Sequence, residues 1–338
     1  MEIAVSTEPT TTMRAVVAHE YGDADVLVHT VVPKPTAAPD EVLIRVVASS
    51  TNPADWHLMT GTPYLVRPTS GWRAPKSPKQ GSDVAGIVEA VGSEITKFQV
   101  GDHVFGNARG AYAEYVTGKE EYLTHKPANV SFEAAATMGI AGHTALQGLR
   151  DHGMVKAGDK VLINGGSGGV GTFAVQMAKA MGAHVTAICS THNVETVSSI
   201  GADRVIDYKT TDFADLDERF DVILDNVGNR KPSTMRRLLE PGGRWVIVSG
   251  PKKNNLWGPL PYVARSLASF LFGSRKAAMF VASENAADLL VMAEMLESGQ
   301  VQPVIDRRFA LEQASNALRY LGEGHSKGKS VILVSEEN

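Results

Sequence analysis

Cysteine is almost absent from the chain, and so are long apolar runs. The 338 residues include one cysteine, Cys189, so an intrachain disulfide and a structural zinc site of four cysteines are both excluded. No run of about eighteen apolar residues occurs, so the sequence predicts no membrane-spanning helix. Residues 1–12 lack the basic and apolar segments of a signal peptide, and we expect a flexible tail on a cytoplasmic protein.

An excess of either charge is also missing. The net charge is -4 and the isoelectric point is about 6.2, so no basic footprint for nucleic acid is present. With 43% hydrophobic and 21% charged residues, the composition is typical of a globular protein. A chain of 338 residues is long enough for two domains.

The arrangement of apolar segments changes near Ser131. Before it, short runs such as Glu41 to Ala48 and Val84 to Ala90 are separated by glycine and proline, which predicts a β-rich domain. After it, strands alternate with helices, which predicts a parallel sheet covered on both faces. The end of the chain, after about Glu284, has the size to return to the first domain. We therefore predict one domain from 1–130 with 284–338, and a second from 131–283.

A glycine-rich segment, 164–171, lies between an apolar run that ends at Ile163 and a helical pattern from Thr172 to Met181. A strand, a glycine turn and a helix in this order form a cradle for a pyrophosphate, because the helix N-terminus offers free N–H groups and a positive dipole. The sequence therefore predicts a dinucleotide site. Its predicted cradle residues are Gly166, Gly168, Gly169, Val170 and Gly171.

The end of the next apolar run, at Cys189, bears on which dinucleotide binds. An NAD site commonly places an acid there for the ribose 2′-hydroxyl. Here the turn is Ser190-Thr191-His192-Asn193, with no acid before Glu195. Hydroxyls and an imidazole can hydrogen-bond a 2′-phosphate, whereas a carboxylate would repel it. The turn favours NADPH, and NADH is the alternative.

Motifs spread over nearly the whole length resemble one family. The chain is similar to the zinc-independent medium-chain dehydrogenases/reductases of the quinone oxidoreductase (zeta-crystallin-like) type. This resemblance implies an α/β protein, with a GroES-like β-barrel catalytic domain, a Rossmann domain of doubly wound parallel strands, and a homodimer. The motifs are Asn52-Pro53-Ala54-Asp55, Gly81-Ser82-Asp83-Val84-Ala85-Gly86, Gly101-Asp102, Ala141-Gly142-His143-Thr144-Ala145, the glycine run, Gly201-Ala202-Asp203 and Gly328-Lys329.

The same resemblance bears on zinc. Zinc alcohol dehydrogenases carry a cysteine where Asn52 stands and His-Glu where Ser82-Asp83 stand. Neither Asn52 nor Ser82 can replace a thiolate and an imidazole as zinc ligands, so we expect no metal. Without zinc, an alkoxide lacks its Lewis acid, whereas reduction of a quinone or a conjugated C=C spreads the charge over an enolate or aromatic oxygen.

Further site residues follow from the family and from the sheet edge where Rossmann ligands bind. The resemblance places Asn52 under the nicotinamide ribose, Thr144 near the carboxamide, and Ser190 and Tyr208 at the 2′-phosphate. The edge of the sheet predicts Asn226, Ser249 and Gly250 as lining residues. By resemblance, Phe280 and Val281 flank the nicotinamide, and Lys329 approaches from the end of the chain.

The substrate side is less determined. Tyr64 is the candidate hydrogen-bond or proton donor to the substrate oxygen, and water is the alternative. Trp56 to Ser82, with four basic residues, is predicted to be a long loop at the cleft mouth. The segments Leu65 to Lys79 and Lys252 to Phe272 are predicted to form pocket walls, and Leu256 to Phe272 a buried or cleft-lining helix.

The expected function is NADPH-dependent reduction of quinones or of the C=C bond of α,β-unsaturated carbonyls, without zinc. Two alternatives stay open at this point. One is a zinc-independent reductase of ketones or aldehydes, and the other is an NADPH-binding protein with a regulatory or structural role.

Overall fold

A computed structural model describes residues 11–251, 255–324 and 326–336. The first ten residues of the predicted tail, and residues 252–254 of a predicted pocket wall, therefore lie outside the described residues. Within the described part, the strands form three sheets. The strands are β1 Thr12–Val17, β2 Val28–Pro33, β3 Glu41–Ser50, β4 Asp83–Val91, β5 His103–Asn107, β6 Tyr115–Lys119, β7 Leu123–His125, β8 Lys160–Asn164, β9 His184–Cys189, β10 Arg204–Asp207, β11 Phe220–Asp225, β12 Leu239–Ile247, β13 Lys276–Met279, β14 Ile305–Ala310 and β15 Lys329–Leu333.

The parallel sheet has the strand order β10-β9-β8-β11-β12-β13, and every described pair in it is parallel. This is the Rossmann order, in which the chain leaves β8 in opposite directions and opens a crevice at the carboxyl ends of β8 and β11. Both faces of the sheet are covered, since one apolar cluster contains Val161, Ile163 and Phe173 and another contains Leu162, Ile223 and Trp245.

The β-rich sheet has the order β14-β15-β3-β4-β5-β7, and β6 also pairs with β3. Its central contact is antiparallel, β3 with β4, and the C-terminal β15 pairs with β3 from the other side. The end of the chain thus completes the first sheet. A small two-stranded sheet of β1 and β2 accompanies it; β2 was not predicted, because four of its six side chains are exposed and its apolar pattern is weak.

The helices mostly follow the predicted alternation. Ser131 accepts a hydrogen bond from the Ala134 N–H at 3.1 Å, as expected of an N-cap. The α-helices are α1 Pro53–Thr60, α2 Arg67–Ser70, α3 Phe132–Ala136, α4 Gly139–Gln147, α5 Gly169–Ala180, α6 Val194–Ser199, α7 Pro232–Arg237, α8 Leu260–Ala268, α9 Ala286–Glu297 and α10 Ala314–Glu323.

The prediction of one long loop from Trp56 to Ser82 was wrong in its first part, because α1 continues to Thr60 and α2 follows. The residues at the start of α1 explain why a helix forms here. Pro53 occupies the first helical turn, where its missing N–H costs nothing, and the Asp55 carboxylate accepts the Asn52 N–H at 2.8 Å. Gly61 ends the helix in the left-handed region, with φ +60°.

Candidate cofactor and substrate site

A cavity of about 1120 Å³ lies between the two large sheets. Its walls come from the ends of β8, β9, β11 and β12 on one side, and from the start of α1 and the segment leading into β15 on the other. Of the predicted site residues, all but Gly166 and Tyr64 line it. Those that line it are Asn52, Thr144, Gly168, Gly169, Val170, Gly171, Ser190, Asn193, Tyr208, Asn226, Ser249, Gly250, Phe280, Val281 and Lys329.

The glycine turn is shaped by backbone contacts. Gly165, rather than Gly166, has the left-handed conformation, with φ +83°. Gly166 is buried beneath the turn, where its N–H donates to the Ile188 carbonyl at 2.9 Å, so it supports the cradle without lining the cavity. A Cβ on Gly171 would collide with the Gly165 carbonyl oxygen, whereas one on Gly168 would meet only that oxygen, at 3.7 Å.

The turn after β9 is tied to the glycine turn. The Asn193 side-chain amide donates to Ser167 Oγ at 3.0 Å and to Ser190 Oγ at 3.2 Å. Nearby, the Asp207 carboxylate accepts from Thr191 Oγ1 at 2.7 Å, and this bond lowers the pKa of Asp207. An acid from the end of β10 therefore lies beside the turn, although residues 190–194 themselves contain none.

Several buried polar side chains facing the cavity lack a hydrogen-bond partner within the described residues. Asn226 has neither its oxygen nor its nitrogen bonded, although a buried amide without partners is costly. A ligand rich in hydroxyl, phosphate and amide groups would satisfy such atoms, so the cavity fits a dinucleotide. The other unpartnered atoms on its wall are Thr51 Oγ1, Asn193 Oδ1, Ser326 Oγ and Ser330 Oγ.

The end of β11 is held by a buried carboxylate. Asp225 accepts from the Asn164 side chain at 2.8 Å, from the Gly228 N–H at 2.9 Å and from Trp245 Nε1 at 3.2 Å. Burial raises the pKa of Asp225, and these donors act against that rise. The carboxylate thereby fixes the turn that presents Asn226 to the cavity.

An aromatic contact fixes the cavity wall after β13. Phe280 follows β13, and its ring stacks on that of His152 with centroids 4.3 Å apart. Val281 is 87% exposed, so it forms the cavity's rim. Thr144 lies on α4, with its hydroxyl donating to the Ile140 carbonyl at 2.7 Å.

A buried charged network occupies the wall around Asn52. Lys329 Nζ donates to Asn52 Oδ1 at 2.5 Å and to the Thr51 carbonyl at 3.0 Å, and it lies 3.3 Å from Asp83 Oδ2. Asp83 Oδ2 also accepts from Asn52 Nδ2 at 2.8 Å and from Ser50 Oγ at 2.7 Å. The side chains of Lys329 and Asp83 are 3% and 0% exposed. Lys329 thus lines the cavity while its ammonium is held within the network.

Asp55 extends this network. Its carboxylate accepts from Ser82 Oγ at 2.9 Å and from the Tyr112 hydroxyl at 3.1 Å. Burial, helped by the neighbouring Asp83 charge, raises the pKa of Asp55 to about 6. Asn52 and Ser82, the two positions that distinguish this chain from zinc alcohol dehydrogenases, are therefore both engaged in one hydrogen-bonded cluster.

Tyr64 lies away from the cavity wall. Its ring is 44% exposed and lies under the Arg67 guanidinium at 4.3 Å, and its N–H donates to the Asn255 carbonyl at 2.7 Å. The predicted pocket walls were also wrong for the described residues, since neither Leu65 to Lys79 nor 255–272 lines the cavity. The helix predicted within Leu256 to Phe272 forms, as α8, but it is only partly buried and does not line the cavity: Leu260 is 44% exposed, whereas Val263 is 5% exposed.

Some lining residues were missed. His57 on α1 belongs to this group, and it comes two residues after Asp55 in a stretch that was interpreted as loop. Its spacing of four residues from Pro53, which also lines the cavity, could have placed it on the same wall. Other polar examples are Thr51, Ser167, Glu284, Ser326 and Ser330.

Comparison with known proteins places these features in a family. Residues 38–128 match the alcohol dehydrogenase GroES-like domain, and residues 200–332 match the zinc-binding dehydrogenase family. The chain is 34% identical over 331 residues to the 2-methylene-furan-3-one reductase of Solanum lycopersicum, covering 93% of this chain and 77% of that protein. It is 32% identical over 334 residues to the chloroplast envelope quinone oxidoreductase homolog of Arabidopsis thaliana, covering 95% and 98%.

The quinone oxidoreductase structure from Coxiella burnetii has the same fold, with a TM-score of 0.84 and 29% identity over 96% of this chain and 100% of that one. The chain belongs to the quinone oxidoreductase group of the medium-chain dehydrogenases/reductases. Membership in this group confirms the predicted GroES-like and Rossmann architecture. It also makes the chain an oxidoreductase that uses a nicotinamide dinucleotide.

Two further findings concern metal and membrane. Among residues 11–251, 255–324 and 326–336, no group of three or more His, Cys, Asp or Glu side chains is arranged to hold a metal ion. Over the same described part of this quinone oxidoreductase-group chain, no helix is long and apolar enough to cross a membrane.

Proposed function

We propose that this protein is an NADPH-dependent reductase of quinones and α,β-unsaturated carbonyls that works without zinc. The observation that carries the proposal is the cluster around Asn52. The Lys329 ammonium lies 3.3 Å from Asp83. A catalytic metal ion would need anionic and neutral donors at this place, and here the ammonium is already bound there. Such a wall cannot polarise an alcohol as a metal does, and conjugated acceptors need that help least.

The residues on the cavity wall have distinct roles in this proposal. The glycine turn and the N-terminus of α5 hold the pyrophosphate, and Ser190, Asn193 and Tyr208 hold the 2′-phosphate. Asn226 and Thr144 orient the nicotinamide end by hydrogen bonds. The reduced cofactor supplies a hydride, and the protein's part is to align the acceptor carbon and exclude water.

The two relatives described above support the substrate class. One is named for reducing 2-methylene-furan-3-one and the other as a quinone oxidoreductase homolog. A homodimer and a cytoplasmic location remain part of the proposal. Residues 190–194 contain no acid, which supports NADPH over NADH. The Asp207 carboxylate beside Thr191 acts against this preference for NADPH.

NADPH consumption measured with quinones, enones, enals and saturated ketones tests the function. We expect turnover with the conjugated acceptors, little with saturated ketones, and no loss after prolonged treatment with a metal chelator. Reduction of saturated ketones alone would favour a ketone reductase. Tight NADPH binding without turnover of any acceptor would favour a regulatory role.

A further inference from the structure

We propose that Glu284 selects acceptors by charge, so that the enzyme reduces neutral or cationic quinones and enones and disfavours anionic ones. This inference rests on the proposed function and names a restriction on its substrates. Among the described residues, Glu284 is the one aspartate or glutamate that lines the cavity. A carboxylate in that position repels an anion and attracts a cation.

The order of the parallel sheet places Glu284 at the end of the cavity where the acceptor must bind. Ser190 follows β9 and Glu284 follows β13, and these strands lie on opposite sides of β8. In the proposed function the glycine turn after β8 holds the pyrophosphate, so the two nucleosides of the cofactor extend from it in opposite directions along the sheet edge. Because Ser190 is proposed to hold the 2′-phosphate, the nicotinamide and the acceptor lie toward β13.

Two side chains of α4 hold the backbone on either side of Glu284. The Gln147 amide donates to the Ser283 carbonyl at 2.7 Å and accepts from the Ser283 N–H at 3.0 Å. On the other side, His143 Nε2 lies 3.2 Å from the Asn285 backbone nitrogen. Since both neighbours of Glu284 are bound to the same helix, its charge stays at this end of the cavity.

The carboxyl of Glu284 makes no hydrogen bond or ion pair with any residue that the structure describes. Burial raises its pKa, the Asp83 charge adds to this rise, and His143 and Arg109 act against it. The side chain is only partly buried, and a carboxyl needs full burial to have its pKa raised to neutrality. Glu284 is therefore an anion at pH 7. Arg109 is exposed and does not line the cavity, so solvent screens its charge.

The lysines on the cavity wall leave the Glu284 charge uncompensated. Lys329 Nζ lies 3.3 Å from Asp83 Oδ2, so these two buried charges offset each other. Lys327 precedes Gly328, which forms a bridge to the glycine turn, and Lys327 therefore belongs to the pyrophosphate side of the cavity. An acceptor that carries a negative group near Glu284 meets a carboxylate without a partner.

The expected size of the effect follows from Coulomb's law, which requires no particular orientation of the carboxyl. Two unit charges about 8 Å apart, at an effective dielectric constant of about 20, change an affinity about 30-fold. Salt and the partial exposure of Glu284 reduce this to about tenfold. A difference of this size is easily measured in kcat/KM.

The test uses two enones that differ in charge but little in shape. Benzylidene acetone with a para-sulfonate group is an anion throughout the working pH range, and the para-sulfonamide is its neutral match. Their kcat/KM values with NADPH are compared in the wild type, Glu284→Gln and Glu284→Lys. We expect the sulfonate-to-sulfonamide quotient to rise about tenfold in E284Q and further in E284K, where the sign of the charge is reversed. The comparison of quotients between variants cancels the intrinsic reactivities of the two enones.

The kinetic constants separate a charge effect from a structural one. The rise should come from a lower KM for the sulfonate, because repulsion acts alike on the bound acceptor and on the transition state. Glu294→Gln removes the same charge at an exposed position on α9 that does not line the cavity, and its quotient should match that of the wild type. An unchanged quotient in E284Q, with or without a fall in kcat for both acceptors, would overturn the inference. An equal rise in E294Q would overturn it as well.

Binding distinguishes this inference from the proposed function. The saturated ketone products of the two enones are titrated calorimetrically into the NADP⁺-loaded protein. The ratio of their affinities should shift about tenfold toward the sulfonate in E284Q, and an unshifted ratio would overturn the inference even where enones are reduced. If the wild type reduces no acceptor, the proposed function fails, whereas the binding ratio still shows whether Glu284 disfavours anions in the cavity.

Discussion

Gly168 and Gly171 belong to the same turn, but a methyl group would meet different surroundings at each. At Gly171 it would strike the Gly165 carbonyl, whereas at Gly168 it has room and the backbone φ is -80°, which any residue adopts. We expect Gly171→Ala to lower the melting temperature by several degrees and to abolish NADPH binding, because the turn itself must move.

Gly168→Ala is the matched variant. It should keep the melting temperature within about 1 °C and still weaken NADPH binding about tenfold or more, because the added methyl group occupies the approach to the pyrophosphate. Differential scanning fluorimetry and fluorescence titration measure the two effects. Unchanged NADPH affinity in G168A would mean that the pyrophosphate does not lie against this turn.

Asp55 gives the stability of the protein a pH dependence of defined sign. The pKa of its carboxyl rises from 3.8 to about 6, so between those values the folded protein holds a proton that the unfolded chain has lost. The stability that the folded protein gains by holding this proton is complete below pH 4 and is lost as the pH rises through 6. This amounts to about 3 kcal/mol in the free energy of unfolding.

Asp55→Asn cannot titrate, so it provides the reference. The free energy of unfolding of the wild type, measured by urea denaturation, should fall relative to that of D55N between pH 4 and pH 7. A difference that stays constant over this range would show that Asp55 ionises at its ordinary pKa in the folded protein.

At the scale of elements, β15 is joined to β4 through a buried ion pair as well as through β3. Lys329→Met would leave the Asp83 carboxylate buried without its cation, and we expect a loss of about 3–5 kcal/mol in the free energy of unfolding. Asp83→Asn in the same chain removes the uncompensated charge. The double variant should therefore be more stable than K329M by at least about 1 kcal/mol.

Lys160→Met serves as a control for this pair. Lys160 lies 3.2 Å from Glu218, but its side chain is 52% exposed, so its loss should cost no more than about 1 kcal/mol. Equal costs for K329M and K160M in denaturant titrations would mean that water reaches the Lys329 pair.

How far the sequence predicts each element depends on what surrounds it. The strands of the parallel sheet are buried on both faces, so β8, β9 and β11 appear as apolar runs between turns and were placed nearly correctly. β12 begins at Leu239 rather than Trp245, because Pro241 and Gly242 interrupt its pattern. α1 was missed although Asn52, Pro53 and Asp55 together form a helix start.

The site shows the same limit. Predicted residues such as Ser190 and Asn226 do line the cavity, because local sequence determines where the carboxyl end of a strand lies. Tyr64 did not, because its position depends on how the segment after α1 folds back on Arg67 and Asn255, which are contacts that no local pattern encodes. Its role as a proton donor stays a prediction that needs this segment to move.

At the scale of the whole molecule, one ligand should bind to both large sheets. A parallel bridge joins Gly168 of the glycine turn to Gly328, and the Lys329 stem lies over Gly169. The segment before β15, which carries Ser326, is thus seated on the cofactor cradle although it belongs to the β-rich sheet. NADPH that fills the cavity would satisfy unpartnered side chains from both sides of it.

Binding should therefore stabilise the two parts together rather than the Rossmann sheet alone. At 100 times its dissociation constant, NADPH should add about 2.7 kcal/mol to the free energy of unfolding in a single cooperative transition. Hydrogen exchange measured by mass spectrometry should slow both in residues 165–171 and in residues 326–330. NADH at the same multiple of its own dissociation constant is the control and should protect the same segments. Protection confined to residues 165–171 would contradict a cofactor held by both sheets, because a ligand bound to the glycine turn alone has no means of slowing exchange in the segment that leads into β15.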